Sequence, residues 1–577
     1  MKLPVDPGLR RKAQAWIADD PDEGDRRFLK DLLAAASAGG PAGDDAAADL
    51  AARFAGGLHF GTAGLRAPVG AGPARLNRAV VRATTAGVAA WLRAETPDAA
   101  TRGVVVGCDA RHRSRELWEE TAAVLAGAGI PALVLAPAQP TPLLAFATRH
   151  LGAAAGIMIT ASHNPAADNG YKLYVGDGAQ ILPSPADAVE AAIAAVGPLA
   201  GVPVAPAGDP RIVTVPRSVT DAYLDSVAAM APAPDGAGLL RVVHTAMHGV
   251  STGLFDAAVA RAGHPPVHHV AAQAAPDPDF PTVAFPNPEE PGAMDLALAD
   301  ARLLGADLVL ANDPDGDRLA VAVAEPAAQG GWRVMTGDQL GALLGAAVLA
   351  GEVGPGLAGG AAEQRVVASS LVSSTMLAAI AADAGATWVE TLTGFKWIAR
   401  GAAGVAGGRL VFGYEEALGY LVGDAVADKD GIGAALAVLA LAAADRARGR
   451  TLLHRVDDIE RRYGVHATRQ VSRRLPSAPA AETVAAKLRS APPADIGGVK
   501  VLSVEDLSRG GRLPPTDAIV FQLEGCRVVV RPSGTEPKIK AYLEARQPPT
   551  PDLAAARAGA DAVLDRVAAG VAGLLDG

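Results

Sequence analysis

Three times along this chain a short apolar run stops at a polar loop. Ala153-Ala154-Ala155-Gly156-Ile157-Met158-Ile159 leads into Thr160-Ala161-Ser162-His163-Asn164-Pro165. Leu308-Val309-Leu310 leads into Asp313-Pro314-Asp315-Gly316-Asp317-Arg318, and Leu410-Val411-Phe412 into Gly413-Tyr414-Glu415-Glu416. Runs this short, apolar throughout and bounded by turn residues, read as strands covered on both faces. Helical stretches separate them. Val104-Val105-Val106 is followed by a helix over 115–126 with Ser114 placed to cap it, then by the strand Leu133-Val134-Leu135 and the rigid turn Pro140-Thr141-Pro142. Such β-α-β-α alternation predicts α/β domains built on mostly parallel sheets. No strict sequence repeat accompanies the three rounds, so the repetition is architectural.

At 577 residues the chain exceeds what one core can serve. After about residue 455 the order changes: a helix over 452–462, clustered strands between 499 and 544, and a long amphipathic helix over 552–575. The expected division is an α/β domain over 1–215 that opens with a helical segment, a second over 216–325, a third over 326–455, and an α+β domain over 456–577. Proline-rich stretches near 203–210, 231–234 and 475–479 supply loops or linkers.

Net charge is −10, which argues against nucleic acid, whose binders usually carry a basic face. The two cysteines, Cys108 and Cys526, have neither disulfide nor metal spacing. The N-terminus has no apolar signal region, and no apolar run reaches the ~18 residues needed to cross a bilayer. The expectation is a cytoplasmic protein with no membrane and no nucleic-acid partner, a monomer or homodimer. Only ten of its 52 Lys+Arg are lysines. Five of them, Lys172, Lys396, Lys429, Lys538 and Lys540, fall in or beside the motifs, where a compact or titratable amine is useful.

Each loop carries chemistry. Asp313, Asp315 and Asp317 alternate on a turn forced by Pro314 and Gly316, and three hard oxygen donors there suit Mg²⁺. An EF-hand is disfavoured because its twelfth position is Ala324. Ser162 lacks the G-x-S-x-G elbow of an acyl-transfer nucleophile. A phosphoserine at a metal site fits better, since its ~−2 charge helps to hold a divalent cation. In Arg531-Pro532-Ser533-Gly534-Thr535, a guanidinium fork, two hydroxyls and an approachable backbone are the parts of a phosphate cradle. Glu415 and Glu416 could accept from sugar hydroxyls, and Gly61 to Arg66 form a glycine-rich cationic loop. No G-x-x-x-x-G-K-[ST] occurs, which disfavours a P-loop enzyme.

Taken in series, T-A-S-H-N-P, D-P-D-G-D-R, G-Y-E-E-A-L-G and R-P-S-G-T resemble the α-D-phosphohexomutases, the family of phosphoglucomutases and phosphomannomutases. F-G-T-A-G-L-R (60–66), F-P-N-P-E-E (285–290), T-L-T-G-F-K-W-I (391–398) and D-K-D-G (428–431) resemble its phosphoglucomutase-2 and phosphopentomutase branch. The resemblance implies three related mixed-sheet α/β domains and a C-terminal α+β domain around a central cleft. It implies that Ser162 carries the phosphoryl group and holds Mg²⁺ together with Asp313, Asp315 and Asp317. Arg66, His163, Lys172 and Lys396 would surround the transferring group, the two lysines as candidates for proton transfer if burial and neighbouring cations lower their pKa. Glu415, Glu416 and Arg318 would contact the substrate, and Arg531, Ser533, Gly534 and Thr535 its non-reacting phosphate.

The implied activity is a mutase interconverting glucose 1-phosphate and glucose 6-phosphate, with glucose 1,6-bisphosphate as activator and intermediate. Ribose or deoxyribose phosphate, and then mannose phosphate, are the alternatives, because Ala417 stands where the family's sugar loop often has a serine. Two readings of other classes are a phosphatase using Asp313 as nucleophile, which would not need Ser162, and an inactive sugar-phosphate binder.

Overall fold

The computed structural model describes residues 5–38, 40–357, 359–532 and 538–576. They form two compact units. The first comprises 1–233, 240–324 and 425–436; the second comprises 234–239, 325–424 and 437–577.

The first unit opens with three helices, Pro7–Asp19, Glu23–Ala38 and Gly40–Arg53, around a small core of Ala13, Leu29, Leu33 and Leu50. Its first sheet contains β1 (Leu65–Pro68), β2 (Val104–Cys108), β3 (Ala132–Val134), β4 (Ala155–Ile159), β5 (Asp168–Val175) and β6 (Ile212–Thr214), in the order β1-β5-β4-β2-β3-β6. β4, β2, β3 and β6 are parallel; β5 turns back against β4. Every residue of β2 and β4 is buried, as strands under helices on both faces require. To the second sheet this unit contributes β7 (Val242–Thr245), β8 (His268–His269), β9 (Leu308–Ala311) and β10 (Ala320–Ala324), in the order β10-β9-β7-β8, with β10 antiparallel to β9.

In the second unit, after the short strand β11 (Trp332–Val334), the third sheet repeats the plan. β12 (Arg365–Ser370), β13 (Thr387–Thr391), β14 (Arg409–Glu415) and β15 (Gly419–Val422) run in the order β13-β12-β14-β15, with β15 antiparallel. The three sheets therefore share one core of four strands, β5-β4-β2-β3, β10-β9-β7-β8 and β15-β14-β12-β13. In each, the chemically marked loop joins the inner parallel strand to the antiparallel one. The sequence patterning shows the inner strands and misses the returning ones: on β5 the hydrophobic run is broken by Lys172, while β10 and β15 are apolar runs of only five and four residues.

The C-terminal sheet is wholly antiparallel: β16 (Val465–Arg474), β17 (Asp495–Ile496), β18 (Val499–Asp506), β19 (Ile519–Leu523), β20 (Cys526–Pro532) and β21 (Lys538–Gln547), in the order β16-β21-β20-β19-β18-β17. The helices Ala478–Ser490 and Leu553–Leu575 share its core, to which Leu488, Leu564, Val567 and Val571 contribute. The fold is thus four domains, three of one mixed-sheet plan and a C-terminal α+β domain. No described helix is long and apolar enough to cross a membrane.

One local expectation fails. Ser114 does not cap its helix: it is the first helical residue, and Arg113, at φ 63°, occupies the cap position. The Ser114 hydroxyl is drawn off to Asp109 Oδ1 at 2.5 Å, a charge-assisted bond that outcompetes a free backbone amide.

Candidate functional site

Loops 160–167 and 312–319 meet in the first unit. Ser162 has φ 53°, a left-handed conformation uncommon for a residue with a Cβ. Arg111 holds it there. This buried guanidinium donates to three carbonyls of the loop, those of Ser162 (2.5 Å), Asn164 (2.6 Å) and Pro165 (2.9 Å), and to that of Asp168 at the start of β5 (3.0 Å). Asp109 Oδ2 lies 3.4 Å from the Arg111 Nε, and the Phe280 ring lies beneath the guanidinium. The Ser162 hydroxyl, 3% exposed, is thereby aimed at Asp313, donating to Oδ2 at 2.8 Å, with His163 Nδ1 at 3.2 Å.

The aspartate loop is fixed from several sides. Thr141 donates to Asp315 through its amide (2.9 Å to the carbonyl) and its hydroxyl (2.7 Å to Oδ2). The Arg318 amide donates to Asp313 Oδ1 at 3.0 Å. Lys172 on β5 reaches Asp315 Oδ2 at 2.7 Å and Asp317 Oδ2 at 3.4 Å, and Lys429 reaches Asp317 Oδ2 at 3.1 Å. Lys429 is placed by Gly431: a Cβ there would collide with the Arg318 carbonyl and the Asn312 amide, so only glycine lets this segment approach. Asp428 beside it accepts from Tyr174 and Gln180 at 2.9 and 3.0 Å.

The electrostatics follow from burial. Asp313, desolvated and facing Asp315 and Asp317, is pushed well above the carboxylate range. Burial acts upward on Asp315 too, but Lys172 and the hydrogen bonds of Lys172 and Thr141 outweigh it and hold Asp315 low. Lys172 departs from expectation. Burial does act to lower it, yet Asp315 and Asp317 overcome burial and the net shift is upward, so this amine stays charged and locked in ion pairs. His163 moves well below its ordinary value, first by burial and then by the charges of Arg318 and Arg66, and is a neutral imidazole. Arg66 donates to Asn164 Oδ1 at 2.9 Å, and Arg318 pairs with Glu289 at 3.2 Å.

The residues present fit a divalent cation. One carboxylate oxygen each from Asp313, Asp315 and Asp317 lies within 4.8 Å of the others. Asp315 Oδ1 and Asp317 Oδ1 are buried and accept no hydrogen bond among the described residues, which is costly for a carboxylate unless a cation completes it. Hard oxygen donors in this number suit Mg²⁺.

The second unit carries Lys396, Glu415, Glu416 and Arg531. Glu415 ends β14 and pairs in register with Gly419. Glu416 Oε2 lies 3.1 Å from both the Ser370 and Ser373 hydroxyls. Burial, then the charges of Glu415 and Asp338, raise Glu416 to about 7. Tyr414 turns inward, fully buried, its hydroxyl donating to Asp338 at 3.1 Å. Lys396 lies on the short helix Phe395–Ile398, half-buried. Arg531 stands opposite Lys540 across β20 and β21; Ser533, Gly534 and Thr535 lie outside the described residues.

Sequence reasoning gave Arg111, Thr141 and Lys429 no role. Lys429 had a signal, the scarcity of lysine. Thr141 was read as part of a turn, and Arg111 carried no pattern, since its work is on backbone carbonyls brought together by the fold.

Comparison with known proteins agrees with this geometry. The phosphoglucomutase/phosphomannomutase alpha/beta/alpha domains I, II and III match residues 57–198, 221–328 and 336–463, and the C-terminal domain of the same family matches 479–558. A Haemophilus influenzae protein named "Probable phosphomannomutase" is 41% identical, covering 82% of this chain and 93% of that one. A phosphopentomutase of Mus musculus is 33% identical over 95% of this chain and 92% of its own. A Staphylococcus aureus phosphoglucomutase is 33% identical over 86% and 91%. The open form of parafusin, a phosphoglucomutase of Paramecium, shares the fold with a TM-score of 0.67 at 19% identity, over 89% of this chain and 95% of that one. The chain belongs to the phosphoglucomutase/phosphomannomutase family, isomerases of sugar phosphates in carbohydrate metabolism.

Proposed function

We propose that the chain interconverts glucose 1-phosphate and glucose 6-phosphate through a phosphorylated Ser162 and glucose 1,6-bisphosphate. The observation that carries this reading is the Ser162 hydroxyl, buried in a left-handed loop and 2.8 Å from a carboxylate of the aspartate triad.

Phosphoryl transfer asks for positioning and charge neutralisation more than for covalent novelty. Arg111 sets the serine loop. Asp313, Asp315 and Asp317 would hold Mg²⁺, which supplies Lewis-acid polarisation and offsets phosphoryl charge. Arg66 and Arg318 stand ready for the equatorial oxygens. Phospho-Ser162 gives its phosphoryl group to a free sugar hydroxyl: the Ser Oγ–P bond breaks, the sugar O–P bond forms, the hydroxyl proton passes to a base, and the departing Ser162 Oγ takes up a proton. The bisphosphate turns over and Ser162 takes back the other phosphate. Lys172 is a poor base for that proton, because it is charged and doubly paired. Neutral His163, 3.2 Å from Ser162 Oγ, and Lys396 are the better assignments. Glu415 and Glu416 bind sugar hydroxyls, and Arg531, Ser533, Gly534 and Thr535 bind the resting phosphate.

A pentose phosphate is the second reading. Ala417 offers no hydroxyl to a hexose, and a phosphopentomutase matches over 95% of the chain. Side-by-side assays on glucose, ribose and mannose 1-phosphates, each with its bisphosphate, decide between them: the glucose reading expects the highest kcat/KM on glucose 1-phosphate. A higher value on ribose 1-phosphate overturns it, and net phosphate release with Ser162→Ala still active overturns the mutase reading altogether.

A further inference from the structure

His244 and Asn312 belong to none of the sequence motifs, yet they tie the aspartate loop to the second sheet. Asn312 directly precedes the triad, and its amide anchors to Thr245 at 3.0 Å, extending the register of β7 with β9. Its side-chain Nδ2 donates to the Arg318 carbonyl at 2.7 Å. The two ends of the 313–317 loop are thereby joined across its mouth. That donation fixes the amide: Oδ1 must face the other way, and there it meets His244 Nε2 at 3.0 Å.

The order of donors along this chain is determined. Asn312 Oδ1 only accepts, so His244 Nε2 carries the hydrogen. Burial pushes His244 down to about 3, so the ring is neutral and its Nδ1 is an acceptor. His269 Nδ1, 3.0 Å away, supplies that hydrogen when the ring carries a hydrogen on each nitrogen, its Nε2–H then donating to Asp256 Oδ1 at 2.8 Å. Phe255 stacks on the His244 ring at 4.3 Å and 20°, which holds its plane. The direction of donation runs from His269 to His244, from His244 to Asn312, and from Asn312 to the loop's far end.

We propose that His244 is a positioning residue of the aspartate loop: its Nε2–H, set by His269, holds the Asn312 amide in the one orientation that closes the loop around Asp313, Asp315 and Asp317. An amide rotated by half a turn would present oxygen to the Arg318 carbonyl, and the loop would open at its base. The inference rests on the cation-dependent mutase reading given above.

The test is Mn²⁺ binding to the full-length protein, followed by the electron paramagnetic resonance of free Mn²⁺, with thermal unfolding and kcat and KM alongside. His244→Phe keeps the volume and the stack on Phe255 but removes both hydrogen bonds. His244→Gln places an amide N–H near the lost Nε2–H. Partners in this position are commonly worth 10–100-fold, so His244→Phe should weaken Mn²⁺ binding about tenfold and lower kcat, with KM for sugar phosphate within about twofold. His244→Gln should return Mn²⁺ affinity to within about threefold of the parent. Should His244→Phe not fold, Asn312→Asp serves instead, since it keeps the acceptor and loses the Nδ2 clamp; the same weakening is expected. Unchanged Mn²⁺ affinity in His244→Phe, or in Asn312→Asp where Phe does not fold, overturns the proposal, as does a His244→Gln no better than Phe. Asp315→Asn is the control: if it binds Mn²⁺ as the parent does, the metal reading itself falls and takes this inference with it.

Discussion

Loops 160–167, 312–319 and 416–418 occupy one position in three sheets of one plan, but they are stabilised in opposite ways. In the first unit the two loops are long, Ser162 and the three aspartates on them are buried, and cations and backbone amides meet most of their polar atoms. Lys172, Lys429 and Arg111 do that work. In the second unit the corresponding loop is short and half-buried, and Glu416 is held by two serine hydroxyls with no cation among its described partners. The difference teaches what each loop is prepared for. Carboxylates paired with lysines, with two oxygens left over, are ready for a further cation. A carboxyl kept near neutrality among hydroxyls is ready to exchange hydrogen bonds with other hydroxyls, as a sugar offers.

That contrast can be broken at several points. The largest effect belongs to Ser162→Ala, which should cost about a thousandfold or more in kcat while the fold stands; a mutase rate near the parent's would end the serine assignment. Next is Lys172→Met. It leaves Asp315 and Asp317 short of a partner in a buried site, at about 3 kcal/mol, and hydrogen exchange in β5 and β10 should speed up while β14 and β15 stay unchanged. Equal loss in both units would mean that the charges are not local.

A smaller change is expected at Glu544, buried on β21. Burial acts upward, but hydrogen bonds from His466, Ser374 and Thr375 and the charge of His466 hold it down to about 2. A carboxyl lowered on folding stabilises above its unfolded value, near 4.5, and that contribution is lost as pH falls toward 2. Glu544→Gln should therefore lower the unfolding free energy by about 2 kcal/mol at pH 7 and remove most of the acid dependence below pH 4.5. The smallest effect is at Glu416 and has the opposite sign. Its raised pKa means that the folded state binds the extra proton, so stability is present below about 4.5 and declines as pH rises through 7. Glu416→Gln should flatten that decline, and a parent whose urea midpoint rises between pH 5 and pH 8 through this region would refute the assignment.

How much of this was legible depends on where each feature's cause lies. The inner strands and their loops could be read because their cause is local: an uninterrupted apolar run and a turn. Ser162 and the three aspartates were legible for the same reason. The returning strand β5 was not, because Lys172 on it is polar only to reach carboxylates more than a hundred residues away; β10 and β15 are apolar but only five and four residues long. Ser114 looked like a cap until Asp109, brought near by the chain reversal, claimed its hydroxyl. The condition under which Lys172 could act as a base, a lowered pKa, is not met, because sequence shows burial more readily than it shows which charges burial brings together.

The segment 425–436 has a consequence for how this protein can be divided. It lies within the family's third domain, 336–463, yet belongs to the first compact unit, where Gly431 lets Lys429 reach Asp317. A chimera that swaps the third domain between relatives therefore transplants a cation of the aspartate site along with the sugar loop. On the proposed roles of these loops, substrate choice and metal-site electrostatics would be transplanted together.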